Sequence, residues 1–239
     1  MKLINDLRFE VPLYTIGEAA QIVDVPTTTF ASWAKGYRRR SPSGVEVGGN
    51  PVLTYLAPTS RRRPSVPFVG LAEGLVLAAI RRSGVPMQRV RPALDVLKRD
   101  MGIKHALASK QLFTDGAEIL FDYQERALAS DEIRTRTLIV VRNGQRVFTE
   151  AVEQYLKLIS YGTDGYASSI KVPAYRDAEV VADPHRSFGS PIFERGGSRI
   201  SDVLERFWTG ESLNDLSEEF GIPFPQLEDV VRVASRQAA

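Results

Sequence analysis

The sequence contains two arginine triplets, 38–40 and 61–63, and a predicted helix with a face of short polar side chains within 27–35. Guanidinium groups bind phosphate oxygens, and short polar side chains on an exposed helix suit the major groove of DNA. The pattern favours salt-dependent nucleic-acid binding, although arginine runs are also common on solvated surfaces. The candidate DNA-binding residues are Thr27, Thr28, Thr29, Ser32, Lys35, Arg38, Arg39, Arg40, Arg61, Arg62 and Arg63.

Residues that could carry catalysis are sparse. The two histidines, His105 and His185, are far apart in the sequence, and the absence of cysteine excludes thiolate metal sites and disulfides. No phosphate-loop or nucleophile-elbow motif occurs. Acidic neighbours such as Glu218-Glu219 would point apart on a helix, which argues against a two-carboxylate site. We therefore predict a protein that is not an enzyme and that needs no metal or cofactor.

The polar face belongs to a predicted helix–turn–helix between Tyr14 and Tyr37. Apolar residues recur at helical spacing from residue 16 to residue 23, and Thr15 with Glu18 forms a capping-box pattern. The segment 24–26 interrupts this period, and Pro26 suits the first turn of a second helix. That second helix would turn Phe30 and Trp33 inward and the polar face outward. An ordinary helical hairpin with a solvated face has the same pattern.

A turn-rich segment follows this unit. Val45, Val47 and the run 51–56 predict two short strands around the segment 48–50, with an arginine triplet at each end of the hairpin. This arrangement is typical of a winged helix. Apolar stripes then predict two helices, one near 71–80 and one from Pro86 to residue 101. Asp115-Gly116 could turn a second, smaller hairpin within 110–123.

Charge divides the chain unevenly. Residues 1–125 carry 17 lysines and arginines against 12 acids, whereas residues 126–239 carry 14 against 17. A basic half and an acidic half favour different partners, although differences of this size also arise by chance. The chain contains no apolar run long enough for a membrane span, and its N-terminus lacks the pattern of a signal peptide. We expect a cytoplasmic protein.

The polar segment 126–137 is interpreted as a linker between an N-terminal domain, 1–125, and a C-terminal domain, 138–239. Asn143-Gly144 predicts a tight hairpin, and helical spacing follows from Ala151. Short strands are expected near 167–172 and 178–181. Three helices should follow within 198–236, the first capped by Ser198 or Ser201 and the second by Ser212. The expected fold is mainly α with small β elements.

The second and third of these helices repeat the residue spacing of the N-terminal helix–turn–helix. Ser217, Gly221 and Leu227 are separated as Ala20, Asp24 and Phe30 are. The second unit differs in charge, because Asp215, Glu218 and Glu219 lie on its first helix and Glu228 and Asp229 begin the next. Carboxylates would repel phosphates, so this unit is interpreted as a protein-binding module rather than a second DNA reader.

The segment from Phe68 to Tyr123 resembles the region after the helix–turn–helix in MerR-type winged-helix proteins. The likeness rests on SGVPMQRVRPAL and ASKQLFTDG, and with the preceding helix–turn–helix it covers roughly residues 13–123. The cysteines of metal sensors and the long dimerising helix of that family are absent. The resemblance therefore implies DNA binding without metal sensing.

The C-terminal segment resembles a small bacterial antitoxin domain. The likeness rests on the spacing of Asp183-Pro184, Phe188-Gly189 and Pro191-Ile192, followed by RISDVL and WTGESLNDL. Together with the MerR-like half, the chain resembles the larger VapB-type antitoxins. That resemblance implies a VapC-like PIN-domain ribonuclease toxin as partner, operator DNA as a second ligand, and a homodimer within a toxin–antitoxin hetero-oligomer.

The residues that could contact such a toxin are cations and aromatics. A PIN nuclease site is a cluster of carboxylates, so an inserted cation could silence it, and aromatic side chains could serve as packing anchors. The candidates are Arg186, Arg195, Arg199, Phe207 and Trp208. The alternative function is a free-standing MerR-like regulator whose C-terminal half binds a small molecule, with Tyr155, Tyr161, Tyr166 and Tyr175 lining the pocket. A scaffold without any DNA role would leave the arginine triplets unexplained.

Overall fold

The computed structural model describes residues 6–40, 44, 46–58, 60, 63–84, 87, 90–92, 94–95, 102, 104–114, 139–142, 145–148 and 150–238. Helices dominate this part of the chain, and four small antiparallel sheets accompany them. This agrees with the predicted mixture of helices and small β elements. Within these residues, no helix has both the length and the apolar composition needed to cross a membrane. The predicted linker, 126–137, lies outside the described residues.

The N-terminal helix–turn–helix is present where the sequence predicts it. Strand β1, Pro12–Tyr14, leads into helix α1, Ile16–Ile22, and helix α2, Thr27–Lys35, follows a short turn. Thr15 Oγ1 accepts a hydrogen bond from the Glu18 backbone N–H, while Glu18 Oε2 accepts one from the Thr15 N–H. The capping-box prediction is therefore confirmed. Local side-chain bonds of this kind satisfy N–H groups that the helix itself leaves unpaired.

The hairpin after α2 differs from the prediction. Strand β2, Tyr37–Arg40, pairs with strand β3, Glu46–Gly49, so the first arginine triplet lies within the hairpin and not at its end. The predicted strand in 51–56 is wrong. The N–H groups of Val52 and Leu53 donate to the Trp33 carbonyl at the end of α2, and both side chains are buried. These backbone donors are thus not free for a strand ladder.

Helix α3, Phe68–Arg82, is the central element of the N-terminal half. Strand β4, Val66–Pro67, pairs with β1 and leads into it. Every residue from Phe68 to Ile80 is buried, so this part of the helix has no solvated face. A Cβ on Gly74 would lie 2.6 Å from Phe30 Cε2, which means that only glycine permits this approach of α2. A helix that is buried on all sides requires partners on all sides.

The predicted small hairpin within 110–123 is wrong in its described part. Residues Ala106–Ala108 form a 3₁₀ turn and Gln111–Thr114 form a short helix, α4. Ser109 Oγ accepts the Gln111 N–H at 3.2 Å, and Leu112 is fully buried. Serine at this position favours the start of a helix over the continuation of a strand. Residues 115–123, which include the expected turn, lie outside the described residues.

The C-terminal half begins with the predicted hairpin. Strands β5, Ile139–Arg142, and β6, Gln145–Phe148, are paired, and helix α5, Glu150–Leu156, follows where helical spacing predicts it. A four-stranded antiparallel sheet comes next. Its strands are β7, Ile159–Tyr161; β8, Ala167–Lys171; β9, Val180–Ala182; and β10, Ile192–Phe193, in the order β10-β9-β8-β7.

Three helices close the chain: α6, Ile200–Trp208; α7, Leu213–Phe220; and α8, Phe224–Ala238. Ser212 Oγ accepts the Asp215 N–H at 3.2 Å, as predicted for the cap of α7. The cap predicted for α6 is wrong, because its N-cap is Arg199, whose side chain makes no capping bond.

The α7–α8 turn repeats the turn of the first helix–turn–helix. Gly221 has φ 63° and Asp24 has φ 55°, so the residues matched by spacing share the left-handed conformation.

The two halves of the chain share one hydrophobic core. Helix α3 packs against α5, and the Lys110 N–H donates to the Gly165 carbonyl at 2.8 Å. Arg8 Nη2 contacts Asp164 Oδ2 at 2.6 Å. The hydrogen bonds of Arg8 to Asp6 and to Asp164 raise the pKa of Arg8, and the bond from Arg8 lowers the pKa of Asp164. Elements on both sides of the predicted linker therefore stabilise each other, and the exact domain boundaries stay a prediction.

Candidate nucleic-acid and protein interfaces

The polar face of α2 is only partly free. Thr27, Thr28 and Lys35 are exposed, as an interface with a groove requires. Thr29 and Ser32 are half-buried and already bonded: Thr29 Oγ1 accepts from Arg81 Nη1 at 2.8 Å, and Ser32 Oγ donates to the Thr29 carbonyl at 2.7 Å. The hydroxyl groups of Thr29 and Ser32 are thus engaged in contacts within the chain.

The first arginine triplet forms a cationic edge next to α2. Arg38, Arg39 and Arg40 are all exposed on β2, and none of them forms an ion pair with another described residue. Gly36, with φ 72°, makes the sharp connection between α2 and β2. An open groove of about 650 Å³ lies at this junction, lined by Lys35, Arg38 and the backbone of 48–51. Of the second triplet, Arg63 is exposed, while Arg61 and Arg62 lie outside the described residues.

Arg91 joins the hairpin to α2 and was not predicted as a functional residue. Its guanidinium group lies 5.4 Å from the centre of the Tyr37 ring and donates to the carbonyls of Asn50 and Ser32. A Cβ on Gly49 would lie 2.8 Å from Arg91 Cζ, so the hairpin backbone passes directly over this side chain. Nothing in the sequence distinguishes Arg91 from the nearby Arg89, because its role depends on tertiary contacts.

Arg82 anchors the helix–turn–helix to the rest of the fold. At the end of α3, its Nη2 donates at 2.6 Å to both the carbonyl and the carboxylate of Asp24, the left-handed residue of the turn. The same guanidinium group lies 5.0 Å from the centre of the Tyr155 ring on α5 and donates to its hydroxyl. Arg82 therefore connects the turn of the N-terminal helix–turn–helix to the C-terminal half.

We expect Arg82→Ala to lower the free energy of unfolding by about 1–2 kcal/mol, because charged hydrogen bonds and a cation–π contact are lost together. Urea denaturation of the full chain would measure this. Arg63→Ala is the matched control, since the exposed Arg63 side chain makes no ion pair with described residues. Equal stability of the two variants would contradict the anchoring role of Arg82.

In the C-terminal half, the structure brings the three candidate arginines to one turn. The Phe193 N–H donates to the Ser198 carbonyl at 2.9 Å, which closes the loop that carries Arg195. Arg199 is bridged to Ile192, and Arg186 Nη2 reaches the Glu194 carbonyl at 3.3 Å. All three arginines are exposed. Among the described residues, none of them forms an ion pair.

The two candidate aromatics lie at the opposite end of α6 from Arg199. A nine-residue helix spans about 13 Å, so they do not belong to the arginine cluster. Phe207 packs half-buried against the core, whereas Trp208 is 61% exposed. Two other aromatic residues, which were not among the predicted toxin contacts, are also exposed, Phe188 at 72% and Phe224 at 41%.

The carboxylates of the second helix–turn–helix are not all on its surface. Asp229 is 1% exposed and faces the loop 176–178, so its predicted place on the acidic face is wrong. Glu219 is exposed but shares Arg206 with Glu211. Among the described acids of α7 and α8, Asp215 and Glu218 are exposed and form no ion pair, although Asp215 Oδ2 accepts the Ser212 hydroxyl at 2.7 Å. This surface is therefore less acidic than the sequence indicates.

The four tyrosines of the alternative small-molecule function do not share a cavity. Tyr155 and Tyr175 line an open cavity of about 420 Å³, but Tyr166 packs against Phe9 and Tyr161 is not part of that lining. Burial raises the pKa of Tyr161 to about 12, and burial together with the charge of Asp229 raises the pKa of Tyr175 to about 12. These tyrosines are mainly packing residues.

The two histidines do not form a metal site with other residues of the described chain. His105 Nδ1 lies 2.9 Å from Thr54 Oγ1 and 3.4 Å from Glu73 Oε1, and Glu73 itself is 1% exposed on α3. Glu73 Oε2 also accepts the Thr54 N–H. These contacts, made around the buried Glu73 carboxylate, connect the segment after the hairpin to the central helix, which is a structural role.

Comparisons with known proteins show that this chain is similar to an antitoxin and that its N-terminal part matches a helix–turn–helix family. A family model described as "Putative DNA-binding HTH domain" matches residues 12–94. Over 228 residues, which is 95% of each chain, the sequence is 46% identical to "Putative antitoxin VapB45" of Mycobacterium tuberculosis. The fold is similar to the crystal structure of Rv2018 from Mycobacterium tuberculosis, with a TM-score of 0.80 and 43% identity. That match covers 94% of this chain and 100% of the other.

Proposed function

Since this chain belongs to the family of the antitoxin VapB45, we propose that it neutralises a VapC-like PIN-domain ribonuclease toxin by direct binding and represses its own operon by binding DNA. An antitoxin of this kind is not an enzyme, as the sequence predicts. The observation that carries the toxin-binding part is the cluster of three exposed arginines at the turn around 194–199, which form no ion pair with described residues. The observation that carries the DNA-binding part is the cationic edge of β2 next to α2.

The N-terminal half is proposed to act as a MerR-like winged helix. Helix α2 would present Thr27, Thr28 and Lys35 to the major groove, while the β2–β3 hairpin, acting as the wing, would bring Arg38–Arg40 to the phosphates. Arg61–Arg63 would add further phosphate contacts. A homodimer would place two such units on operator half-sites, since symmetric regulators read symmetric DNA. Residues 1–125 and 138–239, joined by 126–137, would then be the DNA-binding and antitoxin domains.

The C-terminal half is proposed to silence the toxin electrostatically. A PIN-type site holds its divalent metal with carboxylates, and a guanidinium group from Arg186, Arg195 or Arg199 would pair with them bidentately. The arginines are available for this role because no described carboxylate of their own chain neutralises them. Phe207 and Trp208 would contact the toxin outside its metal site. The toxin and the antitoxin would assemble as a hetero-oligomer built on the antitoxin dimer.

The test uses the full chain and the product of the reading frame adjacent to its gene. If that product is the toxin, its expression should arrest growth, and co-expression of the wild-type chain should relieve the arrest. We expect the triple variant R186A/R195A/R199A to lose at least about 30-fold in affinity for the toxin, because each removal leaves a desolvated carboxylate unpaired. Inhibition of RNA cleavage by the purified proteins would measure the loss.

The control variant is K157A/R176A/R236A, which removes three exposed cations from the same half of the chain. This variant has the same change in net charge as the test variant but keeps Arg186, Arg195 and Arg199. It should therefore inhibit the toxin as the wild type does. If both triple variants inhibit equally well, the arginine cluster does not contact the toxin. If the wild-type chain neither binds the adjacent product nor relieves its toxicity, the antitoxin proposal fails.

A further inference from the structure

Phe188 is the most exposed large hydrophobic side chain of the described residues, at 72%. It lies in the loop between β9 and β10, where three successive residues adopt the left-handed conformation. Ser187 has φ 48°, Phe188 has φ 51° and Gly189 has φ 79°. Positive φ is unfavourable for a residue with a bulky side chain, and such strain persists only where the surroundings enforce it. The fold thus maintains an unfavourable backbone at a residue whose aromatic ring lies in solvent.

The surroundings enforce this conformation through several contacts. The carbonyl of Asp183 accepts the N–H groups of Arg186 and Gly189 at 3.0 and 3.1 Å, and Asp183 Oδ1 accepts the His185 N–H at 2.8 Å. From the N-terminal half, the buried hydroxyl of Tyr14 donates to the Gly189 carbonyl at 2.9 Å. The loop is therefore preorganised, and Phe188 is presented on a rigid support and not on a mobile segment.

Gly189 is required at its position for two reasons. Its φ of 79° favours glycine, and a Cβ there would lie 2.2 Å from Tyr14 Oη. The contact places the loop directly against the residue that precedes the capping box of α1. No packing contact of the Phe188 ring within the described chain accounts for this arrangement, because the ring is mostly in solvent.

The loop that presents Phe188 also carries Arg186, whose side chain extends toward the turn with Arg195 and Arg199. Phe188 thus shares its loop with Arg186, an exposed cation that forms no ion pair with the described residues. An exposed aromatic ring on the same loop as such a cation is complementary to an acidic protein surface that contains an apolar pocket. Aromatic and arginine residues are the types that dominate binding hot spots, and rigid presentation reduces the entropy lost on binding.

We propose that Phe188 is the anchor residue of the toxin interface: its ring enters an apolar pocket of the toxin beside the carboxylate cluster that receives the arginines. This inference rests on the proposed antitoxin function and adds to it the residue that fixes the position of the arginine cluster. It also gives a reason for the left-handed loop, since the strain is offset by contacts to Tyr14 and Asp183 and serves to display the ring.

The test compares Phe188→Ala with the wild-type chain in binding to the purified product of the adjacent reading frame. Loss of a hot-spot aromatic should raise the Kd at least about 30-fold. The midpoint of thermal unfolding should change little, because the ring buries little surface in the free chain. Phe188→Gly should bind as weakly as the alanine variant while unfolding at the same temperature as the wild type or higher, because glycine accepts the left-handed backbone.

Phe224→Ala is the matched control, since it removes another exposed aromatic ring from the same half of the chain. It should bind the toxin with nearly the wild-type Kd. A wild-type Kd for Phe188→Ala, in the presence of measurable wild-type binding, would overturn the anchor role alone and leave the antitoxin function standing. A wild-type chain that does not bind the adjacent product at all would overturn the antitoxin proposal and the anchor with it.

Discussion

Replacing Asp229 by alanine is expected to lower the free energy of unfolding by about 3–5 kcal/mol. The carboxylate is 1% exposed, and its Oδ2 accepts the backbone N–H groups of Arg176, Asp177 and Ala178 at 2.7, 2.9 and 3.2 Å. Removing it leaves these donors without their acceptor and detaches α8 from the loop before β9. Urea denaturation of the full chain at pH 7 would measure the change.

Glu228→Ala is the matched control for this variant. The Glu228 side chain is exposed in the same turn of α8, and its contact with Arg232 is long, at 3.8 Å. Exposed substitutions of this kind usually change stability by no more than about 0.5 kcal/mol. If both alanine variants are equally stable, the three backbone hydrogen bonds to Asp229 do not contribute as the geometry indicates.

The contribution of Asp229 should also depend on pH. Burial by itself raises the pKa of this carboxyl, but the hydrogen bonds from Asp177, Ala178 and Arg176, with the charge of Arg232, lower the pKa below its ordinary value of 3.8. A carboxyl whose pKa is lower in the folded state stabilises the fold fully above its unfolded pKa. That stabilisation is lost as the pH falls through the folded pKa.

Asp229→Asn isolates this effect, because the amide keeps an acceptor oxygen but does not titrate. The difference in stability between the wild type and Asp229→Asn should be largest near neutral pH and should shrink below about pH 4. Denaturation at pH 7, 5 and 3 would follow it. A difference that is constant over this range would show that the ionised form of Asp229 has no special role.

Changing Arg38, Arg39 and Arg40 to alanine is expected to weaken DNA binding about 500-fold at about 0.1 M salt. This figure assumes that each of the three guanidinium groups neutralises one phosphate. The association constant then varies as the salt concentration to a power of about −0.9 for each contact. The slope of log affinity against log salt should become less steep by about 2.7 for the same reason. A DNA duplex of arbitrary sequence suffices, because the phosphate contribution does not depend on sequence.

The control is again K157A/R176A/R236A, which removes the same charge from the C-terminal half. It should retain nearly the wild-type slope, because contact with phosphates, and not net charge, determines the number of ions released. A slope that is unchanged in the Arg38–Arg40 variant would remove β2 from the DNA interface. Equal losses in both triple variants would indicate that net charge alone attracts the DNA.

Features that depend on near neighbours along the chain could be predicted from the amino-acid sequence. The capping box of Thr15 and Glu18, the cap at Ser212 and the two-strand hairpin around Asn143-Gly144 follow from side-chain and turn preferences over a few residues. The matched spacing of Asp24 and Gly221 likewise marks a left-handed turn residue in each helix–turn–helix. The resemblance of the C-terminal segment to an antitoxin domain also indicated the antitoxin family, and the 46% identity to VapB45 confirms that family.

Only the tertiary structure shows which distant residues are in contact. Arg38–Arg40 lie inside the hairpin because strand β2 pairs with β3. The segment 51–56, which was predicted as a strand, instead donates the N–H groups of Val52 and Leu53 to the Trp33 carbonyl. Asp229, which the sequence placed on the surface, is buried and accepts hydrogen bonds from three backbone N–H groups. The loop that presents Phe188 is held by a hydrogen bond from Tyr14, which is 175 residues from Gly189 in the sequence. These outcomes depend on contacts between segments that are far apart in the sequence. Such contacts produce no local periodic pattern, so they could not be predicted from the sequence.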